Sequence, residues 1–218
     1  MKILHCLSKY KEKREKNQLT KIQNQLIIAI NQNIEDSQRS INDFVQILKD
    51  FKEKNYSKHD SFFNLCIFSD IAQIDLTLLV EKYRLAQRIQ ERKLYARVMS
   101  IVILDYLDNI GILIGTNCLA ELKRNNMHNF MDKFKVVHKN FSTFKKENEK
   151  MLREIRNNTI AHKTKDALVL SQQINELNSD SIYEFSIQFN NYIQDFVNLS
   201  TKVIYYIADY MGEGKKLD

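Results

Sequence analysis

Apolar residues recur along this chain at spacings of three, four and seven, the period of a helix with one buried face. Ile22, Leu26, Ile30 and Ile34, then Ile41, Phe44, Leu48 and Phe51, predict a first helical region over 17–54, with a break near Asp36-Ser37. "KNYSKHDS" is the first turn. From Ser61 to Ile114 the helical pattern runs without a breaker. A single rod of that length would span roughly 80 Å, too long for a compact domain. The polar run "QRIQERK" is therefore expected to mark a bend between two helices. Gly115 suits the position just past a helix end, and Thr116 the cap of a short helix after it. Residues 127–162 read as helical, with a break near Asn140, and a loop follows. The last helix is expected to start at "SIYE", where Ser181 and Glu184 have capping-box spacing. It continues through Phe185, Phe189, Tyr192, Phe196 and Val203 to Gly212. The pattern predicts an all-α, up-and-down bundle of five to six helices in one domain over 1–218, with 1–16 and 212–218 as flexible ends.

Composition sharpens this picture. Among 218 residues there is no proline and there are only four glycines, so nearly nothing interrupts a helix. Cys6, Cys66 and Cys118 are far apart, an odd count that implies buried thiols in a reducing compartment rather than disulfides or a zinc site. The apolar run at the start is too short for a signal peptide. The most apolar segment, "VMSIVILDYLDNIGILIG", carries Asp105, Asp108 and Asn109, which argues against a membrane span. A cytoplasmic protein is expected.

The formal net charge of +6 is unevenly placed. Residues 121–165 hold twelve Lys or Arg and five Asp or Glu, a net +7. Residues 1–21 add a further +5, so the remainder is negative by six. A positive field concentrated on one segment suits a surface that meets phosphates, and a solvated lysine-rich helix face has the same composition.

That basic segment ends in "EIRNNTIAHKT", residues 154–164. On a helix Met151, Ile155, Thr159 and His162 share a stripe, with Leu152, Arg156 and Ile160 beside it. Arg156 and His162 thus lie at the edge of the buried face, separated by about 120° of rotation and about 9 Å of rise. A flexible arginine covers that gap, so both groups can converge on one ligand. An arginine placed against apolar neighbours also needs an anion, either a protein carboxylate or a phosphate.

Arg156-Asn157, four residues, then His162 resembles the R-N-x4-H signature of the HEPN superfamily, small helical domains of bacterial defence and toxin–antitoxin systems, many of them ribonucleases. The resemblance covers the motif and the helical layout, not the first fifty residues. It implies an HEPN-like bundle and metal-independent RNA cleavage with no cofactor. His162 would be general base on a ribose 2′-OH, Arg156 would clamp the phosphate and its developing charge, and Asn157 would orient one of them or the substrate. The residue types fit, since a cationic neighbourhood (Arg156, Lys163, Lys165) favours neutral, proton-accepting His and guanidinium grips phosphate bidentately. The resemblance also implies a homodimer whose two motifs meet, so that a second His162 protonates the leaving oxygen. Arg153, Lys163 and Lys165 are the expected RNA contacts, and a separate antitoxin protein is a possible partner.

A second polar stripe lies in the most apolar helix, where Arg97, Ile101, Asp105 and Asp108 share a face. It reads either as an internal Arg97–Asp pair or as support for the motif, with Asp105 positioning Arg156 or His162. Other chemistry is not encoded. His128 and His138 lack a carboxylate at ligand spacing, no nucleophile motif or glycine-rich phosphate loop occurs, and Phe130, Phe134, Phe141 and Phe144 read as core. The expected function is a defence endoribonuclease; the alternative is a non-catalytic HEPN-like module that binds RNA, a nucleotide or a protein.

Overall fold

The structure is a computed structural model that describes residues 2–161 and 166–212. Among the described residues it is helical throughout and contains no strand. Seven α-helices follow in order: α1 (Lys2–Glu53), α2 (Asp60–Leu85), α3 (Ile89–Ile110), α4 (Leu119–Arg124), α5 (His128–Arg156), α6 (Ala167–Glu176) and α7 (Ser179–Gly212). A π-helical segment, Gly111–Cys118, joins α3 to α4 in one rod, and a second, Asn157–Ala161, extends α5.

The α3–α4 rod, α2, α5 and α7 form an up-down-up-down bundle, with α1 laid against α2. Aromatic contacts fix the antiparallel register of α5 and α7. Phe144 meets Phe185 with ring centroids 4.4 Å apart, Phe134 meets Phe196 at 6.1 Å, and Phe130 meets Tyr206 at 5.5 Å. Tyr106, fully buried, lies at the centre between Phe141 and Phe189 and hydrogen-bonds the Ser69 hydroxyl at 2.9 Å. The expected core phenylalanines of α5 are there: Phe134, Phe141 and Phe144 are buried, and Phe130 packs at the edge. Cys66 and Cys118 are free, buried thiols; the side chain of Cys6 lies outside the described residues.

Several boundaries differ from the sequence expectation. α1 does not break at Asp36-Ser37, and its backbone is helical from Lys2 rather than from 17. Side-chain bonds one turn apart flank the supposed break, Gln32 donating to Asp36 at 3.0 Å and Gln38 to Asn42 at 3.2 Å. Arg39 pairs with Asp36 across it at 3.5 Å, and Ser37 packs inward. α5 does not break at Asn140 either, because Val137, Phe141 and Phe144 keep one buried face through it. Gly115 does not end a helix; it lies inside the π segment, where an added Cβ would meet the His138 ring at 3.4 Å. The last helix begins at Ser179 with Asn178 as its cap, the amide oxygen accepting from Ser181 N at 3.1 Å, so Ser181 sits inside the helix. The expected loop after the motif contains α6, capped by Asp166, whose carboxylate accepts from Leu168 N at 2.9 Å and Val169 N at 3.2 Å.

α1 and α4 end alike. Tyr56 N donates to Phe51 O and Met127 N to Leu122 O, with Asn55 and Asn126 in the left-handed region at φ 53° and 56°. Asparagine takes the role glycine usually fills in this C-terminal motif. Two helices, Asp60–Leu85 and Ile89–Arg124, are long and apolar enough to cross a bilayer, and 44% of each apolar window is buried inside the bundle.

Candidate functional site

The motif sits where α5 gives way to its π turn, against the first half of α3. Leu152, Ile155 and Thr159 are buried and anchor that end of α5 to the core. Thr159 donates its hydroxyl to Ile155 O at 2.6 Å, and its carbonyl faces α3. Arg97 takes it: Nη1 donates to Thr159 O at 3.2 Å while Nε donates to Lys93 O at 3.2 Å. The wider π turn exposes carbonyls that an α-helix would use internally, and Arg97 satisfies one of them. Burial lowers the Arg97 pKa from its usual value.

The sequence-derived stripe on α3 is thus split between two tasks. No Arg97–Asp pair forms among the described residues. Asp108, eleven residues beyond Arg97 on α3, accepts instead from Lys145 at 2.8 Å and Arg153 at 2.7 Å. Arg153 also bonds Glu149 at 2.8 Å. Burial works to raise the Asp108 pKa, but the Lys145 and Arg153 contacts outweigh it and hold the carboxyl below its ordinary value. The hydrogen bond that Arg153 donates to Glu149 leads its shift upward, and Asp108 adds to it. Arg153, expected as an RNA contact, is therefore held by two protein carboxylates. Asp105, expected to position the motif, is exposed and pairs with neither Arg156 nor another described side chain.

Arg156 lies three residues beyond Arg153 and is half-buried, with no hydrogen bond or ion pair among the described residues. Asn157 is exposed at the start of the π turn. His162, Lys163 and Lys165 lie outside the described residues. The structure therefore brings together Arg97, Thr159 and the Arg156–Asn157 pair, with Asp108, Lys145 and Arg153 as a brace alongside.

Two buried ionisable groups that line cavities were not singled out from sequence. His59, 3% exposed, lines a cavity of about 140 Å³ at the opposite end of the bundle with Asn125, Tyr206 and Tyr210. Asn125 Nδ2 lies 3.3 Å from His59 Nδ1, and burial with help from Lys58 lowers the imidazole to about 4. Asp70, 6% exposed, lines a second cavity between α1 and α7. Its signal was available, since a carboxylate at a core position of "FFNLCIFSDIAQIDL" breaks the apolar register. Among the described residues no group of three His, Cys, Asp or Glu is arranged to hold a metal ion. Compared with known proteins, no family model, no curated protein and no solved structure matches the chain.

Proposed function

We propose that the chain is a metal-independent endoribonuclease of a toxin–antitoxin or antiviral defence system, an HEPN-like bundle acting as a cytoplasmic homodimer. The supporting observation is Arg156, a half-buried guanidinium without a described partner, three residues from an Arg153 matched by two carboxylates. A cation left open beside one so well paired is suited to an anion from outside the chain. In this reading Arg156 grips the scissile phosphate and stabilises its pentacoordinate charge. His162 removes the ribose 2′ proton, the 2′-oxygen attacks phosphorus, and the 5′-oxygen leaves with a proton from the second subunit's copy of His162. The products are a 2′,3′-cyclic phosphate and a 5′-hydroxyl. Asn157 orients substrate from the exposed side of the turn, and Lys163 and Lys165 contact the RNA backbone.

The test is cleavage of single-stranded RNA in EDTA. Arg156→Ala and His162→Ala are each expected to lower the rate by two or more orders of magnitude while leaving the helical signal unchanged. A magnesium requirement, or full activity in both variants, overturns the mechanism. One observation favours the second reading, a non-catalytic binding module. α6, adjoining the motif, buries none of its residues and exposes Leu168 at 78%, an apolar side chain suited to protein contact. Saturable RNA binding without any cut product would favour that module.

A further inference from the structure

A buried carboxylate without a partner is the least explained group in this fold. Asp70 is 6% exposed, yet among the described residues no hydrogen bond or cation offsets its burial, which lifts the carboxyl to about 7. It lies at the side of a cavity of about 270 Å³ between α1 and α7, with Ser40 and Phe44 from α1 and Ser200, Thr201, Ile204 and Tyr205 from α7. The titratable groups around it are Cys66 on its own helix, Tyr106 from α3 and the Tyr205 phenol. None of these is a cation. A fold stabilised by packing alone would gain from an apolar residue at this position, because an unpaired buried acid is costly.

The geometry points to a binding site for a small organic cation, a primary alkylammonium, with Asp70 as its counter-ion. Ser200 and Thr201 donate their hydroxyls to Val197 O at 2.8 and 2.9 Å. Thr201 thus keeps its lone pairs, and Ser200, which also meets the Cys66 thiol, keeps one, as acceptors for ammonium N–H groups. Phe44 and Tyr205 add aromatic rings to the lining, a residue type that attracts cations, and Ile204 adds apolar contact for a hydrocarbon stem. About 270 Å³ leaves room for an alkyl stem as well as an ammonium head, since one water takes roughly 30 Å³ in the liquid. This site is independent of the ribonuclease reading and lies on other helices.

Calorimetric titration of the full chain with n-butylammonium chloride, at constant ionic strength, tests it. Saturable binding is expected at pH 8 and should weaken about tenfold at pH 6, as the fraction of ionised Asp70 falls. Asp70→Asn, a near-isostere, is expected to abolish binding. Tyr205→Ala, at a side chain 68% exposed and so harmless to folding, should weaken it several-fold even where the Asp70 variant folds poorly. Potassium chloride should not compete at equal concentration. Absence of binding at pH 8, equal binding by both variants, or equal competition by potassium overturns the proposal.

Discussion

At the residue scale, His59 and Asp70 oppose one another across the same pH range. Burial lowers His59 to about 4, below its unfolded value near 6.5, so the unfolded chain binds more protons between these limits. Stability from His59 is therefore lost as pH falls from about 6.5 to about 4. Asp70 is raised to about 7 from an unfolded value near 3.9, so its contribution is lost as pH rises through that window. The shifts correspond to about 3 kcal/mol for His59 and about 4 kcal/mol for Asp70, and between pH 4 and 6.5 their opposite slopes largely cancel. Urea unfolding should show Asp70→Asn gaining stability with rising pH and His59→Gln losing it, with the wild type nearly flat. Parallel curves for all three chains would refute the assignment. Glu121 makes a different point. Its buried carboxylate accepts from Ser61 N at 2.8 Å and Phe62 N at 2.9 Å, capping α2 from sixty residues away. Glu121→Ala leaves two donors without an acceptor and should cost about 2–3 kcal/mol in denaturant unfolding. Nothing in "CLAELKR" hints at this, because the partner is fixed only by the tertiary fold.

At the element scale, helix identity was legible and helix ends were not. The turn at 54–59 and the bend after Leu85 stand where polar runs interrupt the apolar period. Breaks expected at Asp36-Ser37 and Asn140 are absent, since local side-chain bonds and one continuous buried face outweigh weak helix propensity. α6 was missed because none of its residues is fully buried and only the short stripe Leu170, Gln173 and Ile174 turns partly inward; the Asp166 cap starts it and it contacts the motif turn. Asp166→Ala should cost about 1 kcal/mol locally. The expected readout is faster amide exchange over 168–175, with the global unfolding midpoint unchanged. Protection that survives the substitution would show that α6 is held by something other than its cap. Half of the candidate site was equally hard to read. Arg156 stood out as a cation at the edge of an apolar face, whereas the commitment of Arg153 to Asp108 depends on how α3 and α5 cross.

At the scale of the whole molecule, the ribonuclease reading requires two chains, because one motif supplies a base and a phosphate clamp but no acid for the leaving oxygen. Mixing Arg156→Ala with His162→Ala chains should restore part of the activity if subunits complement one another. Activity that merely averages the two inactive parents would count against a shared cleft. A last consequence follows from the π segment. Buried positions on the rod recur at Ile110, Ile114, Cys118 and Leu122, every four residues. In an α-helix that spacing drifts by about 40° a step, roughly 120° over three steps, whereas a wider coil keeps all four inward. The segment thus works as a phase corrector, setting the angle at which Glu121 arrives at α2. Chain length there matters more than side-chain identity. Inserting one alanine after Ile112, a side chain 61% exposed, should turn everything beyond it by about 100° and detach that remote cap, while Ile112→Ala should be nearly silent. A stretch that tolerates almost any residue yet refuses a one-codon insertion keeps time for the far end of the bundle.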